Sequence, residues 1–305
     1  MPDLHKKTRK LMLEHWQLYL LLLFPLINLI IFKYLPILGL QMAFKDFRVS
    51  KGMWDSPWVG LKHFQAFFTS PNFWAIIGNT VTISLYTIVA AFPFAILLAI
   101  GMNELSSARA RKTVQFFTYA PYFISTVVLV SMMMQMFDPR IGILTRLLQL
   151  FGYRGDNVFG SATAFRHLYV WSGVWQQTGY NAIMYLAALT AINVELYDAA
   201  KVDGCSKWQR IWHVDLPGIQ PTIIILLILN MGYIMSVGFE KVYLMQNPMN
   251  LENSEIIATY VYRMGLINSN FSFSTAVGFF NSLINLILML SVNKAAQKVG
   301  ETSLW

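Results

Sequence analysis

Residues 193–222 read NVELYDAAKVDGCSKWQRIWHVDLPGIQPT, and this polar segment lies between two long apolar runs. The chain around it has 305 residues, of which 56% are hydrophobic and 12% are charged. Soluble domains usually carry about 25% charged residues. The composition therefore predicts an all-α polytopic membrane protein that presents residues 193–222 to a soluble partner protein.

The segment has the local signals of two short helices. Good helix formers at residues 199–201 precede Gly204, and glycine alone adopts a positive φ without penalty. Ser206 and Gln209 have the spacing of a capping box at the start of a second helix. We expect the two helices to meet at Gly204 and Pro217 to end the second one.

A plain amphipathic connector on the lipid surface is the alternative interpretation of this segment. Helices that lie in the membrane interface usually have a strongly basic polar face. Here Asp198, Asp203 and Asp215 offset the three basic residues of the segment. The balance of charge favours a protein partner.

Six apolar stretches are long enough to cross a bilayer, for which a helix needs about 20 residues. They cover residues 16–38, 76–101, 113–137, 168–192, 222–245 and 274–292. Proline disrupts the hydrogen bonding of a helix, so Pro121 predicts a bend in the third stretch.

The distribution of basic residues predicts the orientation of the chain. Lys6, Lys7, Arg9 and Lys10 come just before the first stretch, and basic residues mark the cytoplasmic side. We therefore expect both termini in the cytoplasm. The predicted organisation is a cytoplasmic segment 1–15, a transmembrane domain 16–293 with the cytoplasmic loop 193–222, and a cytoplasmic tail 294–305.

Polar side chains within the predicted spans are candidates for a solute pathway, because they are costly unless they face protein or water. The candidates are Gln176, Gln177, Tyr180, Asn181, Asn230, Tyr233 and Glu240. Gln176 and Tyr180 share one helix face by their spacing, as do Gln177 and Asn181. The alternative is interhelical hydrogen bonding, worth about 0.6 kcal/mol per bond.

That alternative is favoured for Asn281 and Asn285 in the sixth stretch. For Glu240, pairing with the adjacent Lys241 near the membrane interface competes with a role in the pathway.

No catalytic or metal site is indicated by the sequence. The five histidines have no metal-ligand spacing, and Cys205 is the only cysteine. The sequence contains no G-x-x-x-x-G-K-[ST] loop, so we expect the chain neither to hydrolyse ATP nor to bind a cofactor. The net charge of +8 is assigned to membrane topology, and no nucleic-acid partner is expected.

The order of residues in the polar segment resembles the EAA loop of bacterial ABC importer permeases. The matching positions are Asp198-Ala199-Ala200, Asp203-Gly204, Leu216-Pro217 and Pro221. Three residues separate Ala200 from Gly204, as in the family pattern, while eleven separate Gly204 from Leu216. Asp198 replaces the usual Glu, and Cys205 stands where a small residue is common.

The resemblance extends over most of residues 16–305. Gly60-Leu61 before Phe64, Asn79-Thr80 and residues 119–125 look like the maltose-type sugar permeases. Residues 239–241, 259–263 and 303–305 look like the LplB-like oligosaccharide branch of that group.

What the resemblance implies is a type I ABC importer permease fold in a bacterial cytoplasmic membrane, with a carbohydrate as cargo. The implied partners are a second homologous permease, two ATP-binding subunits that use ATP and Mg²⁺, an extracellular or periplasmic solute-binding protein, and membrane lipid. The loop would be the coupling helix region that contacts one ATPase. Its implied coupling residues are Asp198, Ala199, Ala200, Lys201, Asp203, Gly204, Lys207 and Arg210.

Two other functions are alternatives to import. A proton-coupled secondary transporter usually needs ionisable residues deep in the membrane, yet the second, third, fourth and sixth stretches contain none. A membrane subunit that assembles a complex without transporting would also carry a docking loop, and the loop alone does not distinguish it from a permease.

Overall fold

The computed structural model describes residues 14–152 and 157–299. The basic cluster Lys6, Lys7, Arg9 and Lys10, most of segment 1–15, and residues 303–305 lie outside this range. Within it the chain is helical, and extended backbone pairing is confined to two isolated bridges, Lys45 with Trp58 and Arg48 with Gly52.

The α-helices are numbered in chain order over the described residues. They are α1 Trp16–Leu29, α2 Gly52–Asp55, α3 Lys62–Phe68, α4 Phe73–Asn103, α5 Ala108–Tyr119, α6 Thr126–Met136, α7 Ile143–Leu150, α8 Ala162–Thr190, α9 Val194–Val202, α10 Lys207–Arg210, α11 Leu216–Gly232, α12 Phe239–Met245, α13 Leu251–Ser254, α14 Ile257–Tyr262 and α15 Phe271–Val299. Short 3₁₀ segments (Leu35–Phe44, Ala120–Phe123) and π segments (Ile30–Tyr34, Ile211–Asp215, Arg263–Ile267) extend or link them.

Four continuous helical segments are long and apolar enough to cross a membrane. They are Trp16–Phe44, Phe73–Asn103, Lys207–Gly232 and Phe271–Lys298. Two bent pairs raise the number to six if each pair counts as one span: Ala108–Phe123 with Thr126–Met136, and Ala162–Thr190 with Val194–Val202. The apolar stretches found in the sequence therefore coincide with long helices or bent helix pairs.

The first segment, Trp16–Phe44, stands apart from the rest of the described chain. None of the residues of α1 is buried, although the segment has a mean hydropathy of 2.1 in its most apolar window. Only its 3₁₀ end, Leu35–Phe44, packs against α15, where Ala43 is buried. A helix that is apolar on all sides requires lipid or another protein around it.

The third apolar stretch bends by 96° instead of running as a single rod. Pro121 is the second residue of a 3₁₀ turn over Ala120–Phe123, and Ile124 then has an extended backbone. The Ser125 hydroxyl accepts a hydrogen bond from the Val128 N–H and starts α6. The bend predicted from Pro121 is therefore present, and it divides the stretch into two helices.

The prediction of a fifth span over residues 222–245 is wrong at its C-terminal end, because α11 stops at Gly232. The backbone leaves the helix between Gly232 and Phe239, and Asn285 of α15 hydrogen-bonds to two residues of this break. The Met235 N–H donates to Asn285 Oδ1 at 3.0 Å, and Asn285 Nδ2 donates to Ser236 Oγ at 2.9 Å. The interhelical role favoured for Asn285 is thus observed.

The prediction that Pro217 ends a second short loop helix is also wrong. The helix that begins at Lys207 continues to Gly232 through a π turn over Ile211–Asp215. In this turn the Leu216 N–H bonds to the carbonyl oxygen of Ile211, five residues earlier. Pro217 directly follows this turn as the second residue of α11, so it lies within the continuous helix and does not end it.

Helices α4 and α8 form the central pair of the bundle and pack along much of their length. At Gly179 of α8 a Cβ atom would lie 2.0 Å from the Thr118 carbonyl oxygen, so glycine is required for the close approach of α5. At one end of the pair, a buried apolar cluster joins α4, α8 and α11 beside the loop. It includes Ala99, Met102, Tyr185, Leu189 and Ile219.

Candidate functional site

The polar loop between α8 and α11 has the two-part structure expected from its sequence. Asn193 caps α9, and Gly204 follows the helix with φ of 69°, in the left-handed region that favours glycine. Ser206 and Gln209 form a complete capping box at the start of α10, with bonds of 3.3 and 2.8 Å. The turn between α9 and α10 is therefore set by local interactions.

One side of the loop is exposed and carries charges of both signs beside apolar groups. The exposed side chains among the predicted coupling residues are Asp198, Ala199, Lys201, Asp203 and Lys207. Asp198 and Lys201 are paired with each other at 3.2 Å. Val202, Trp208 and Trp212 add exposed apolar surface, with Val202 87% exposed. Such a mixed surface is suited to another protein.

The other side of the loop faces the helix bundle. Ala200 is buried, and Ile211 packs against the apolar cluster at the end of α4 and α8. The Arg210 guanidinium pairs with the Glu104 carboxylate, which follows the last residue of α4. Of the predicted coupling residues, Arg210 thus contacts the bundle, and Ala200 is buried.

A second polar contact lies beside that ion pair. The Tyr197 hydroxyl donates to Oδ1 of the fully buried Asp215 at 2.6 Å. The Arg210 guanidinium lies over the Tyr197 ring, 5.7 Å from its centroid. Burial and the Asp215 carboxylate raise the pKa of Tyr197 to about 12.

A cavity of about 220 Å³ lies between α4, α8 and α11. Four of the seven pathway candidates line it, namely Gln177, Tyr180, Asn181 and Asn230. Gln177, Tyr180 and Asn181 occupy one stripe of α8, and Asn230 comes from α11. The other walls are mainly apolar, with Thr87 and Tyr185 adding hydroxyl groups. The lining residues have no charged side chain.

The other three pathway candidates lie outside this cavity. Gln176 is buried and donates to the Ile124 carbonyl oxygen at 2.8 Å, in the bend before α6. Tyr233 is exposed at the end of α11, and Glu240 is exposed on α12. Lys241 donates to the Tyr169 carbonyl oxygen at 2.9 Å, so its amine is directed to α8.

Two residues near the cavity were not among the candidates. Tyr122 stacks on Tyr180 with ring centroids 3.9 Å apart and an angle of 4° between the rings. Thr87 lines the cavity from α4 while its hydroxyl bonds to the Ile83 carbonyl oxygen. Tyr122 follows Pro121 in the sequence, so the bend predicted from Pro121 could have identified Tyr122 as a candidate. Thr87 has no distinguishing sequence signal within its apolar stretch.

Comparisons with known proteins agree on one family. Residues 91–301 match the family described as "Binding-protein-dependent transport system inner membrane component". Protein LplB of Bacillus subtilis (strain 168) is 38% identical over 96% of this chain and 92% of its own length. The polygalacturonan/rhamnogalacturonan transport system permease protein YteP of the same strain is 39% identical over 98% of this chain and 94% of its own.

A solved structure is similar over nearly the whole chain. It is that of a bacterial ABC transporter involved in the import of the acidic polysaccharide alginate, with a TM-score of 0.88 and 37% sequence identity. The similarity covers 96% of this chain and 99% of the matched one. The resemblance to ABC importer permeases found in the sequence is therefore confirmed, and this chain belongs to the family of binding-protein-dependent transport system inner membrane components.

Proposed function

We propose that this chain is a permease subunit of an ATP-driven importer that carries an oligosaccharide across a bacterial cytoplasmic membrane. The main support is that two of the helices lining the neutral polar cavity are joined directly by the exposed loop. Helix α8 supplies Gln177, Tyr180 and Asn181 and leads into the loop, and α11 starts from the loop and supplies Asn230. Movement of the loop would thus move two walls of the cavity.

The chemistry of the cavity suits a carbohydrate. Amide side chains donate and accept hydrogen bonds, and sugar hydroxyls need partners of both kinds. The stacked rings of Tyr122 and Tyr180 offer an aromatic face beside these amides. The cavity volume of about 220 Å³ is below the roughly 300–1,000 Å³ of complete small-molecule sites. A second, homologous permease closing the open side would complete it.

The names of two similar proteins support this class of cargo. One is described as a polygalacturonan/rhamnogalacturonan permease, and another structure was solved in complex with an alginate pentasaccharide-bound periplasmic protein. By analogy an extracellular or periplasmic solute-binding protein would deliver the sugar to this chain.

The exposed side of the loop is proposed to dock on a separate ATPase subunit. Its charges of both signs, on Asp198, Lys201, Asp203 and Lys207, would fix the register of docking. ATP and Mg²⁺ would be used by two such subunits, and this chain acts as a transport subunit without enzymatic activity of its own. Six spans with both termini and the loop in the cytoplasm are the proposed topology.

Uptake by the reconstituted complex tests the proposal. The complex is assembled in proteoliposomes with its ATPases and binding protein, and the probes are labelled oligogalacturonides and alginate oligosaccharides. We expect ATP-dependent uptake of an oligosaccharide. The double variant Gln177→Leu/Asn181→Leu should lower uptake about tenfold, because each lost hydrogen bond costs about 0.5–1.5 kcal/mol.

The matched control is Asn268→Leu, an exposed residue outside the cavity. It should leave uptake unchanged. Equal uptake by the double variant and the control would remove the cavity from the pathway. Absence of any ATP-dependent oligosaccharide uptake by the wild-type complex would contradict the proposed function itself.

A further inference from the structure

The side of the loop that faces the helix bundle contains more polar groups than are needed to hold the loop in place. Glu104 and Arg210 pair while their side chains are only 17% and 23% exposed. Asp215 is completely buried, and its Oδ2 has no hydrogen-bond partner among the described residues. The Arg210 Nε is likewise buried without a partner within the described part of the chain.

Stability alone does not account for this arrangement. Burying charged groups carries a desolvation cost that their mutual attraction often fails to repay. A buried polar atom without a partner costs a further ~1–3 kcal/mol. Apolar side chains of similar size would hold the loop to the bundle at less cost, as Ile211 and Leu216 already do beside them.

The two contacts join the loop to different helices. Glu104 caps the end of α4, whereas Arg210 is the last residue of α10, on the far side of the Gly204 turn. Tyr197 comes from α9 and Asp215 from the π turn that leads into α11. The ion pair and the hydrogen bond together connect α9 and α10, the two helices of the loop, to α4 and α11.

Helix α4 in turn reaches the cavity. Ala95, Ala91 and Thr87 lie on successive turns of this helix, and all three line the cavity wall. Pro93 removes one backbone hydrogen bond in this stretch, yet α4 continues as one helix from Phe73 to Asn103. The ion pair at the end of α4 is therefore mechanically continuous with the cavity.

We propose that Glu104 and Arg210, supported by the Tyr197–Asp215 hydrogen bond, are positioning residues that transmit movement of the loop to the α4 wall of the cavity. This inference rests on the proposed function, since it assigns a route for the ATPase-driven movement. Arg210 has its role inside the permease, where its guanidinium fixes α10 to α4. The exposed charges of the loop would contact the ATPase.

Charge reversal tests the ion pair in the assembled complex. We expect Glu104→Arg to leave ATP hydrolysis running while uptake falls, so that the ATP hydrolysed per sugar imported rises about tenfold, within the range of about 5–150-fold for coupled sites. Arg210→Glu should do the same. The double variant Glu104→Arg/Arg210→Glu restores the pair in reverse and should recover most of the coupling.

Two further variants keep the test decisive. Asp46→Arg reverses one charge of an exposed pair, Arg48 with Asp46 at 3.3 Å, and should leave the ATP-to-sugar ratio unchanged. If charge reversal at residue 104 prevents assembly, Tyr197→Phe removes a single hydroxyl from the same cluster and should raise the ratio more mildly.

The outcomes separate this inference from the proposed function. Wild-type uptake of oligosaccharide supports the function regardless of the variants. If the wild type transports sugar while Glu104→Arg and Tyr197→Phe assemble and keep a normal ATP-to-sugar ratio, the positioning role is wrong. A double variant that is no better coupled than either single one would also overturn it.

Discussion

At the scale of single residues, Gly204 is the position where the sequence and the structure agree most directly. Its φ of 69° is strained for other residues, and a Cβ atom there would meet no atom within 4 Å. Only the backbone conformation, and not crowding, therefore selects glycine. The turn that separates α9 from α10 depends on this conformation.

We predict that Gly204→Ala impairs transport. An L-residue in the left-handed conformation costs about 1–2 kcal/mol, so the turn should rearrange and the exposed charges of α9 should move relative to α10. Uptake by the complex should fall several-fold, whereas Gly204→Asn should retain most of it, because asparagine tolerates this conformation.

Gly101 is the matched control for that prediction. It also has no atom within 4 Å of a Cβ position, but it lies inside α4 and its φ is not positive. Gly101→Ala should therefore keep uptake and slightly raise the thermal stability of the complex, since alanine favours helices. Equal uptake by Gly204→Ala and Gly101→Ala would contradict a role for the left-handed turn.

The residues of the cavity show what spacing can and cannot predict. The sequence grouped Gln176 with Tyr180 and Gln177 with Asn181, since both pairs are four residues apart. In the structure Gln177, Tyr180 and Asn181 line the cavity together, while Gln176 bonds to the bend before α6. Helical spacing permits either grouping, and the choice depends on which neighbouring helix packs on each face.

At the scale of helices and turns, hydropathy located the apolar stretches but not their interruptions. The break after α11 was missed because Ile234, Met235 and Val237 are apolar and buried although they are not helical. The Met235 N–H is satisfied by Asn285, a residue fifty positions further along the chain. A pattern read within one stretch cannot reveal a partner on another helix.

This break leads to a prediction about two asparagines one turn apart on α15. Asn285→Leu leaves the Met235 N–H unpaired and should lower the free energy of unfolding by about 1–3 kcal/mol. Asn281 Oδ1 is buried without a hydrogen-bond partner among the described residues. Asn281→Leu removes that unpaired atom and should leave stability unchanged or raised.

Thermal unfolding of the purified protein in detergent measures both changes under one condition. The midpoint should fall for Asn285→Leu and hold or rise for Asn281→Leu. A similar fall for both variants would mean that the hydrogen bonds to the break are not the source of the effect.

At the scale of the whole molecule, most apolar side chains of Trp16–Phe44 face outward from the described fold. The bundle formed by α4, α8, α11 and α15 has its own buried clusters without this segment. The fold class and the family were predictable from the sequence, because long apolar runs and the loop motif are local features. The arrangement of the helices around the cavity was not, because it depends on contacts between distant residues.

The proposed topology can be tested with the native chain, since Cys205 is its single cysteine and is exposed in the loop. A membrane-impermeant maleimide should label it in inside-out vesicles but not in intact cells. Bound ATPase should slow this labelling, because the proposed docking surface surrounds the residue.

Cys205→Ser provides the control for labelling at other sites in the complex. Labelling of the wild-type chain from the outside of intact cells would place the loop on the external surface and contradict both the topology and the site of ATPase docking.

The length of α4 sets how far a small movement of the loop can travel. From Glu104 to Thr87 the helix rises about 25 Å. If it pivots near one end, a tilt of about 10° displaces the other end by about 4 Å, which is less than the pitch of a helical turn. Under the proposed function, a slight rotation of the loop would therefore shift the cavity wall by more than the width of a hydroxyl group. A change that bends α4 between Glu104 and Thr87 would reduce this displacement without altering the cavity residues or the exposed side of the loop.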